Sequence, residues 1–286
     1  MTRKSGALIV IGGHEDKEGE KLILREVARR AGRGKVVVAT VASEEPQEYW
    51  KIYERVFRGL GVPHVYHLDV ESRAEAKSDR KVAILDDATV VFFTGGDQLK
   101  ITSRLGDSPI YERLCEIFSE EGGTIAGTSA GASMMCETML VRGNEELSAR
   151  LGAPLVMAPG LGFVRNAIID QHFAQRGRIG RLLGAVAHNA RVLGIGIDEN
   201  TAAVFENGHF DVIGENAVYI VDGSSASYSN IAELEEDHAL SLFDVRLHVL
   251  SHGDRFYLDK RLARGTPKRE QIPFPTRDEP VLSQSE

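Results

Sequence analysis

The sequence of 286 residues predicts an α/β protein whose mostly parallel sheet is covered by helices on both faces. Three observations predict it. Short apolar runs alternate with amphipathic stretches from Ala7 to Met135. Paired glycines follow two of those runs, at Gly12-Gly13 and Gly95-Gly96. Residues 124–135 read as a buried strand, a sharp turn and the start of a helix. In that last stretch Gly127, Ser129 and Gly131 have the G-x-S-x-G spacing of a nucleophile elbow.

The elements follow in order. Residues 7–11 form an apolar strand, closed by the Gly12-Gly13-His14 turn, and a helix runs over 19–30. The opening lacks a full G-x-G-x-x-G, so these glycines read as turn formers rather than as a dinucleotide site. Strands are expected at 35–40, 65–68 and 88–93, with helices at 43–59 and 72–85 between them. In the first of those helices Tyr49, Ile52, Val56 and Leu60 make one stripe. Helices at 98–105 and 110–121 lead to the elbow strand, and 137–162 reads as loop. Residues 166–173 read as a strand entering a polar turn, a helix opens near Arg176 and continues toward Asn189, and 192–198 is a strand. Beyond Ala202 the period shifts toward two, at 202–205, 210–213, 217–221, 243–250 and 256–258, which predicts antiparallel strands added at an edge. One domain is expected over 1–263, and the proline-containing residues 264–286 read as a mobile tail.

Composition narrows the function classes. A net charge of −8 argues against nucleic-acid binding and mildly favours a cationic substrate. The only cysteines, Cys115 and Cys136, supply neither a disulfide framework nor a cysteine-rich metal site. The apolar run 7–11 is too short for a signal-peptide core and no stretch is long enough to span a membrane, so a cytoplasmic protein is expected.

In a doubly covered parallel sheet, ligands sit at the carboxyl ends of the strands. Gly12-Gly13, Gly95-Gly96 and Ser129 all fall there. A serine on a strand-to-helix turn projects its hydroxyl into a cleft, and the amide of Ala130 points from a helix N-terminus toward an oxyanion. Gly96 offers a second amide that a substrate carbonyl can approach unhindered. A bland reading makes Ser129 a helix cap and Gly95-Gly96 a simple turn.

A serine nucleophile needs a base, and the base needs an orienting acid. Of nine histidines, His172 stands out at a strand end among Asp170, Gln171 and three arginines; His14 and His67 also lie near strand ends. Glu199 directly follows a buried strand and could meet His172 across the sheet rim, although Asp198 and Glu199 also read as turn residues. A second arrangement takes Asp170 as acid with His188, His209, His238, His248 or His252 as base, in the chain order of α/β-hydrolases. Arg176, Arg178 and Arg181 would depress the pKa of His172 unless they meet anionic partners, and substrate carboxylates suit guanidinium groups.

The segments Thr94-Gly95-Gly96-Asp97-Gln98, the elbow from Gly127 to Ser133, and Asp170-Gln-His172-Phe-Ala-Gln-Arg176-Gly-Arg178-Ile-Gly-Arg181-Leu resemble the cyanophycinases. These are serine peptidases related to aspartyl dipeptidase (peptidase E) and to class I glutamine amidotransferase-like, flavodoxin-like folds. The resemblance covers about residues 5–260, and its third segment is far more specific than the elbow. It implies the substrate cyanophycin, a poly-aspartate chain carrying arginine on its β-carboxyls, and exo-type release of β-Asp-Arg. It further implies a homodimer with no metal or organic cofactor; that no nucleic acid or membrane is a partner is expected from the charge and the lack of a spanning stretch. By motif match Ser129 is the nucleophile, His172 the base and Glu199 the acid, with Glu145 and Glu146 as rival acids. Gln98, Asp170, Gln171, Arg176, Arg178 and Arg181 match the substrate pocket. Competing readings are an aspartyl dipeptidase acting on α-linked peptides and a non-catalytic β-Asp-Arg binding protein.

Overall fold

The computed structural model describes residues 6–142, 155–233 and 239–265. Numbered in chain order, its strands are β1 (Ala7–Ile11), β2 (Lys35–Ala39), β3 (His64–Leu68), β4 (Ala88–Phe93), β5 (Thr124–Thr128), β6 (Thr138–Arg142), β7 (Val156–Pro159), β8 (Ala167–Gln171) and β9 (Leu193–Ile197). They continue as β10 (Thr201–Glu206), β11 (His209–Gly214), β12 (Val218–Asp222), β13 (Tyr228–Ser229), β14 (Leu242–Phe243), β15 (Arg246–Leu250), β16 (Arg255–Tyr257) and β17 (Leu262–Arg264). The α-helices are α1 (Leu22–Ala31), α2 (Pro46–Gly59), α3 (Asp79–Val82), α4 (Gln98–Leu105), α5 (Pro109–Ser119), α6 (Ala130–Ser133) and α7 (Ile179–His188).

A nine-stranded sheet in the order β17-β16-β11-β10-β1-β5-β4-β2-β3 forms the centre of the molecule. Its half from β1 to β3 is parallel, as the strand–helix alternation requires, and β10, β11, β16 and β17 extend it antiparallel. Side chains alternate across the parallel strands, so each face owns a core. On one face Ile9, Ile11, Val36, Val38, Val90 and Phe92 pack with Ile23, Leu24 and Val27 of α1 and Tyr53 and Phe57 of α2. On the other, Val10, Val37, Val91, Phe93 and Ile125 pack with Ile101 of α4 and Leu114 and Ile117 of α5.

The strands do not all enter the one sheet expected from the sequence. Strands β8 and β9 do not join β5; they lie parallel in a separate four-stranded sheet, β15-β12-β9-β8. One face of that sheet (Ile169, Ile195, Ile197, Ile220) joins the α4–α5 core, and the other (Ile168, Val221) packs on Leu182 and Val186 of α7. Both strands are buried throughout, so their apolar sequences carry no mark of which sheet they enter. The late strands divide accordingly. β10, β11 and β16 extend the large sheet, whereas β12 and β15 build the small one.

Smaller differences have local causes. The region 137–162 is not all loop, because β6 and β7 pair as a hairpin. The helix expected over 72–85 is broken into a four-residue α3 flanked by two 3₁₀ turns. The stripe of α2 is turned: Tyr53, Val56 and Phe57 are buried and Tyr49 is exposed. The stretch 243–250 is interrupted at Asp244, whose φ of 60° leaves β14 and β15 separate. Strand β17 crosses the expected boundary at 263 and pairs with β16; residues 266–286 lie outside the described part.

Candidate active site

The parallel register brings Ile11 opposite Thr128 and Phe93 opposite Gly127, so β1, β4 and β5 end on one rim. Residue 129 sits at the turn into α6 with φ 54° and ψ −111°, a conformation seldom adopted by a non-glycine residue. The elbow glycines allow the tight approach. A Cβ on Gly127 would lie 2.2 Å from the Gly131 carbonyl oxygen, and one on Gly131 would lie 2.6 Å from that of Phe93.

In the second sheet β8 pairs Gln171 with Ile197 of β9, so the chain leaves both strands side by side. His172 follows one strand, also at positive φ (48°), and Glu199 follows the other two residues on. One backbone bond ties the elbow to the end of β1, and two more tie the second rim to the turn that follows β1. Ser129 N donates to Ile11 O at 3.0 Å, His172 N to Gly12 O at 2.8 Å, and Asn200 N to Gly13 O at 2.8 Å. The turn after β1 thus holds the elbow, the imidazole and the neighbour of the carboxylate in one frame. Gly13, at φ +105°, lies directly against the ring: a Cβ there would sit 2.3 Å from His172 Cε1. The sequence reading gave this glycine only a turn-forming part.

The side chains form a relay. Ser129 Oγ and His172 Nε2 are 2.9 Å apart, and His172 Nδ1 and Glu199 Oε1 are 2.7 Å apart. His172 is buried and Glu199 half-buried. Burial lowers the pKa of the imidazole below its ordinary value, and Arg176 and His14 push the same way, against the bond to Glu199. The ring is therefore held neutral at neutral pH, as a proton acceptor must be. Asp198 takes a different part: its carboxylate accepts from Ala174 N at 2.8 Å and Ala217 N at 3.3 Å, which pins the turn.

Asp170 is engaged elsewhere than in the arrangement that takes it as acid. Asp170 is buried between arginines: Arg181 Nε donates to Oδ2 at 2.5 Å, Arg181 Nη2 to Oδ1, and Arg178 Nη1 to Oδ1 at 3.2 Å. Among the described residues, none of its proposed histidines bonds to it. His209 lies 3.8 Å from Asp211, His248 packs on Phe256, His252 accepts from Gly214 N, and His188 ends α7. His238, Glu145 and Glu146 lie outside the described residues.

The relay opens into a cleft of about 840 Å³ whose lining includes Gly96, Gln98, Gln171, Arg176, Arg178 and Arg181. Asp170 does not reach it; it stands behind Arg178 and Arg181 as their counter-ion. Gln98 at the start of α4 donates to Leu140 O (3.0 Å) and Val141 O (3.1 Å), which ties the cleft wall to β6. Arg178 also donates to Gln171 O at 2.5 Å and Gln171 Oε1 at 3.0 Å.

Sequence reasoning missed Glu15. It lies in the loop after β1, is buried, and lines the same cleft. Its carboxylate accepts from Thr128 Oγ1 at 2.5 Å and from the Tyr53 hydroxyl, and Lys17 Nζ lies 2.9 Å away. Burial, then the Glu15 charge, push the Tyr53 phenol well above its ordinary pKa, so it stays a donor. The position after a strand-end glycine pair was the available signal, because the rim rule applies to the whole loop.

Comparison with known proteins places the chain in a family. The model of peptidase family S51 matches residues 8–213. The chain belongs to peptidase family S51. Among its curated S51 relatives is a cyanophycinase from Nostoc sp., 40% identical over 258 residues, covering 89% of this chain and 86% of the relative. Another, from Geminocystis herdmanii, is 38% identical over 253 residues, covering 87% and 93%. A peptidase from an acI-B1 actinobacterium has a similar structure, with TM-score 0.64 at 20% identity, covering 89% of this chain and 98% of that one. At that identity the likeness supports the α/β peptidase fold alone. None of the described helices is long and apolar enough to cross a membrane.

Proposed function

We propose that this S51 chain is a serine-type cyanophycinase, an exopeptidase that cuts the poly-aspartate backbone of cyanophycin to β-Asp-Arg. The observation that carries the chemistry is the continuous relay from Ser129 through His172 to Glu199. The name shared by the curated relatives carries the substrate. Each unit of that polymer bears a guanidinium and a free carboxylate, and the cleft combines Gln98 and Gln171 with Arg176, Arg178 and Arg181. Guanidinium groups recognise carboxylates in bidentate geometry, so Arg176 suits a free carboxylate of the polymer, while Arg181 turns its paired donors to Asp170.

The mechanism follows from the atoms. Ser129 Oγ attacks the aspartyl carbonyl while His172 Nε2 takes its proton. Glu199 keeps Nδ1 as the donor nitrogen and stabilises the imidazolium. The amides of Gly96 and Ala130 hold the oxyanion, each such donor being worth about 3–4 kcal/mol of barrier. His172 returns the proton to the leaving amine, and water, activated by the same nitrogen, releases the acyl group. Asp170 positions rather than binds: it keeps two buried arginines paired and aimed into the cleft.

The same reading takes the fold as class I glutamine amidotransferase-like, and the protein as a cytoplasmic homodimer. The test is incubation with purified cyanophycin and, separately, with α-linked aspartyl dipeptides. Soluble β-Asp-Arg from the polymer is the expected result. Cleavage of the dipeptides alone would replace the substrate with that of an aspartyl dipeptidase, and binding of β-Asp-Arg without turnover of either would make the chain a binding protein.

A further inference from the structure

The mouth of the cleft sets beside the relay a histidine, His14, that hydrolysis does not call for. His14, His172 and Glu199 each present one ligand atom, all within 4.8 Å of one another. His14 Nδ1 lies 3.7 Å from Glu199 Oε2, while Oε1 of the same carboxylate bonds His172. The two imidazoles meet edge to face with centroids 5.1 Å apart. Two imidazoles and a carboxylate are a ligand set suited to zinc, with one position left open. Bonds of about 2.0–2.1 Å in tetrahedral geometry set ligand atoms roughly 3.3 Å apart. The His14–Glu199 pair, at 3.7 Å, is thus within a few tenths of an ångström of that spacing. The His14 side chain is 71% exposed, so it can turn to close the rest without disturbing the core.

We propose that His14, His172 and Glu199 form a site for Zn²⁺ or a similar divalent transition metal, and that filling it switches the peptidase off. The switching rests on the catalytic reading above; the binding does not. If the ion takes Nδ1 of His172, the remaining ring proton sits on Nε2, which then donates to Ser129 and cannot receive its proton. If the ion takes Nε2, the hydroxyl loses its acceptor. In both cases Glu199 is withdrawn from orienting the ring. No redox step is involved, and a chelator reverses the effect. His14 is what turns a two-residue acid–base pair into a three-ligand site.

The experiment uses the full chain, stripped of metal by chelator and dialysis. Co²⁺ serves as a spectroscopic probe of binding, and Zn²⁺ is titrated against dipeptide release from cyanophycin. His14 has φ 47°, so His14→Asn and His14→Gly are the substitutions its backbone tolerates. Wild type is expected to bind one Co²⁺ per chain with visible bands of a low-coordinate site, and to lose activity to Zn²⁺ reversibly. Each variant, normalised to its own metal-free rate, is expected to need at least about tenfold more Zn²⁺, and to lose the Co²⁺ bands. Equal zinc sensitivity in wild type and both variants would overturn the site. Co²⁺ binding by wild type without inhibition by Zn²⁺ would overturn the switch. Ser129→Ala separates the two readings. It is expected to keep the Co²⁺ bands while releasing no dipeptide, whereas turnover by this variant would refute the catalytic reading and leave the spectroscopic test of the site standing.

Discussion

Replacing Gly13 with alanine is expected to disable the site while every member of the relay keeps its identity. A Cβ at this position would lie 2.3 Å from Cε1, 2.6 Å from Nε2 and 2.9 Å from Nδ1 of His172. Ordinary contact begins near 3.4 Å, so the ring must retreat by about 1.1 Å or the turn must shift by as much. The turn resists, because Asn200 N bonds Gly13 O and His172 N bonds Gly12 O. The ring therefore moves, and its 2.9 Å bond to Ser129 opens. A misplacement of about 1 Å between reacting groups costs roughly 100-fold in rate. The φ of +105° adds about 1–3 kcal/mol of backbone strain for an L-residue, which lowers stability as well. The assay is kcat/KM for dipeptide release alongside a thermal melt. A loss near 100-fold in folded protein is predicted. A folded Gly13→Ala enzyme within threefold of wild type would refute the argument that this glycine exists to admit the imidazole.

Glu199→Gln keeps the shape of the acid but removes its charge; kcat is expected to fall by about 10³–10⁴-fold with little change in KM, as measured by steady-state kinetics. Asp170→Ala leaves Arg181 buried without the carboxylate it pairs with. It should destabilise the fold by about 3–5 kcal/mol, read as a drop in the urea midpoint. The acid limb of the kcat/KM profile is expected below the ordinary histidine value, because burial and then Arg176 lower the pKa of His172. A base with a lowered pKa stays neutral, and active, until the pH falls through that lowered value. Arg176→Gln removes a nearby positive charge, so it should move the limb to higher pH; an unmoved limb would show that Arg176 does not act on the ring.

Much of the parallel half-sheet was legible because its strands announce themselves as apolar runs closed by glycine turns, as at Ile11 and Phe93. The elbow was legible for a related reason: Gly127 and Gly131 are needed by backbone contacts that no other residue permits. Partnership between strands was not legible. β8 is buried on both faces whichever sheet it joins, so nothing in Ala167–Gln171 marks it for the smaller sheet. The polarity of Asp170 was visible, but the sequence could not say that Arg178 and Arg181 would consume it. Glu15 sits in a run of charged loop residues and looks like solvated surface until Tyr53 and Thr128 are placed around it. Tyr53 itself was hidden because the stripe drawn through Tyr49 differs from the buried one by a rotation of the helix.

The central claim is that Ser129 is the nucleophile for cleavage of cyanophycin. The most direct measurement compares the rate of β-Asp-Arg release by wild type and by Ser129→Ala on one preparation of the polymer, with both proteins shown folded by circular dichroism. The account predicts dipeptide from wild type and a loss of at least about 10³-fold in the variant. Release by Ser129→Ala within tenfold of wild type would contradict it.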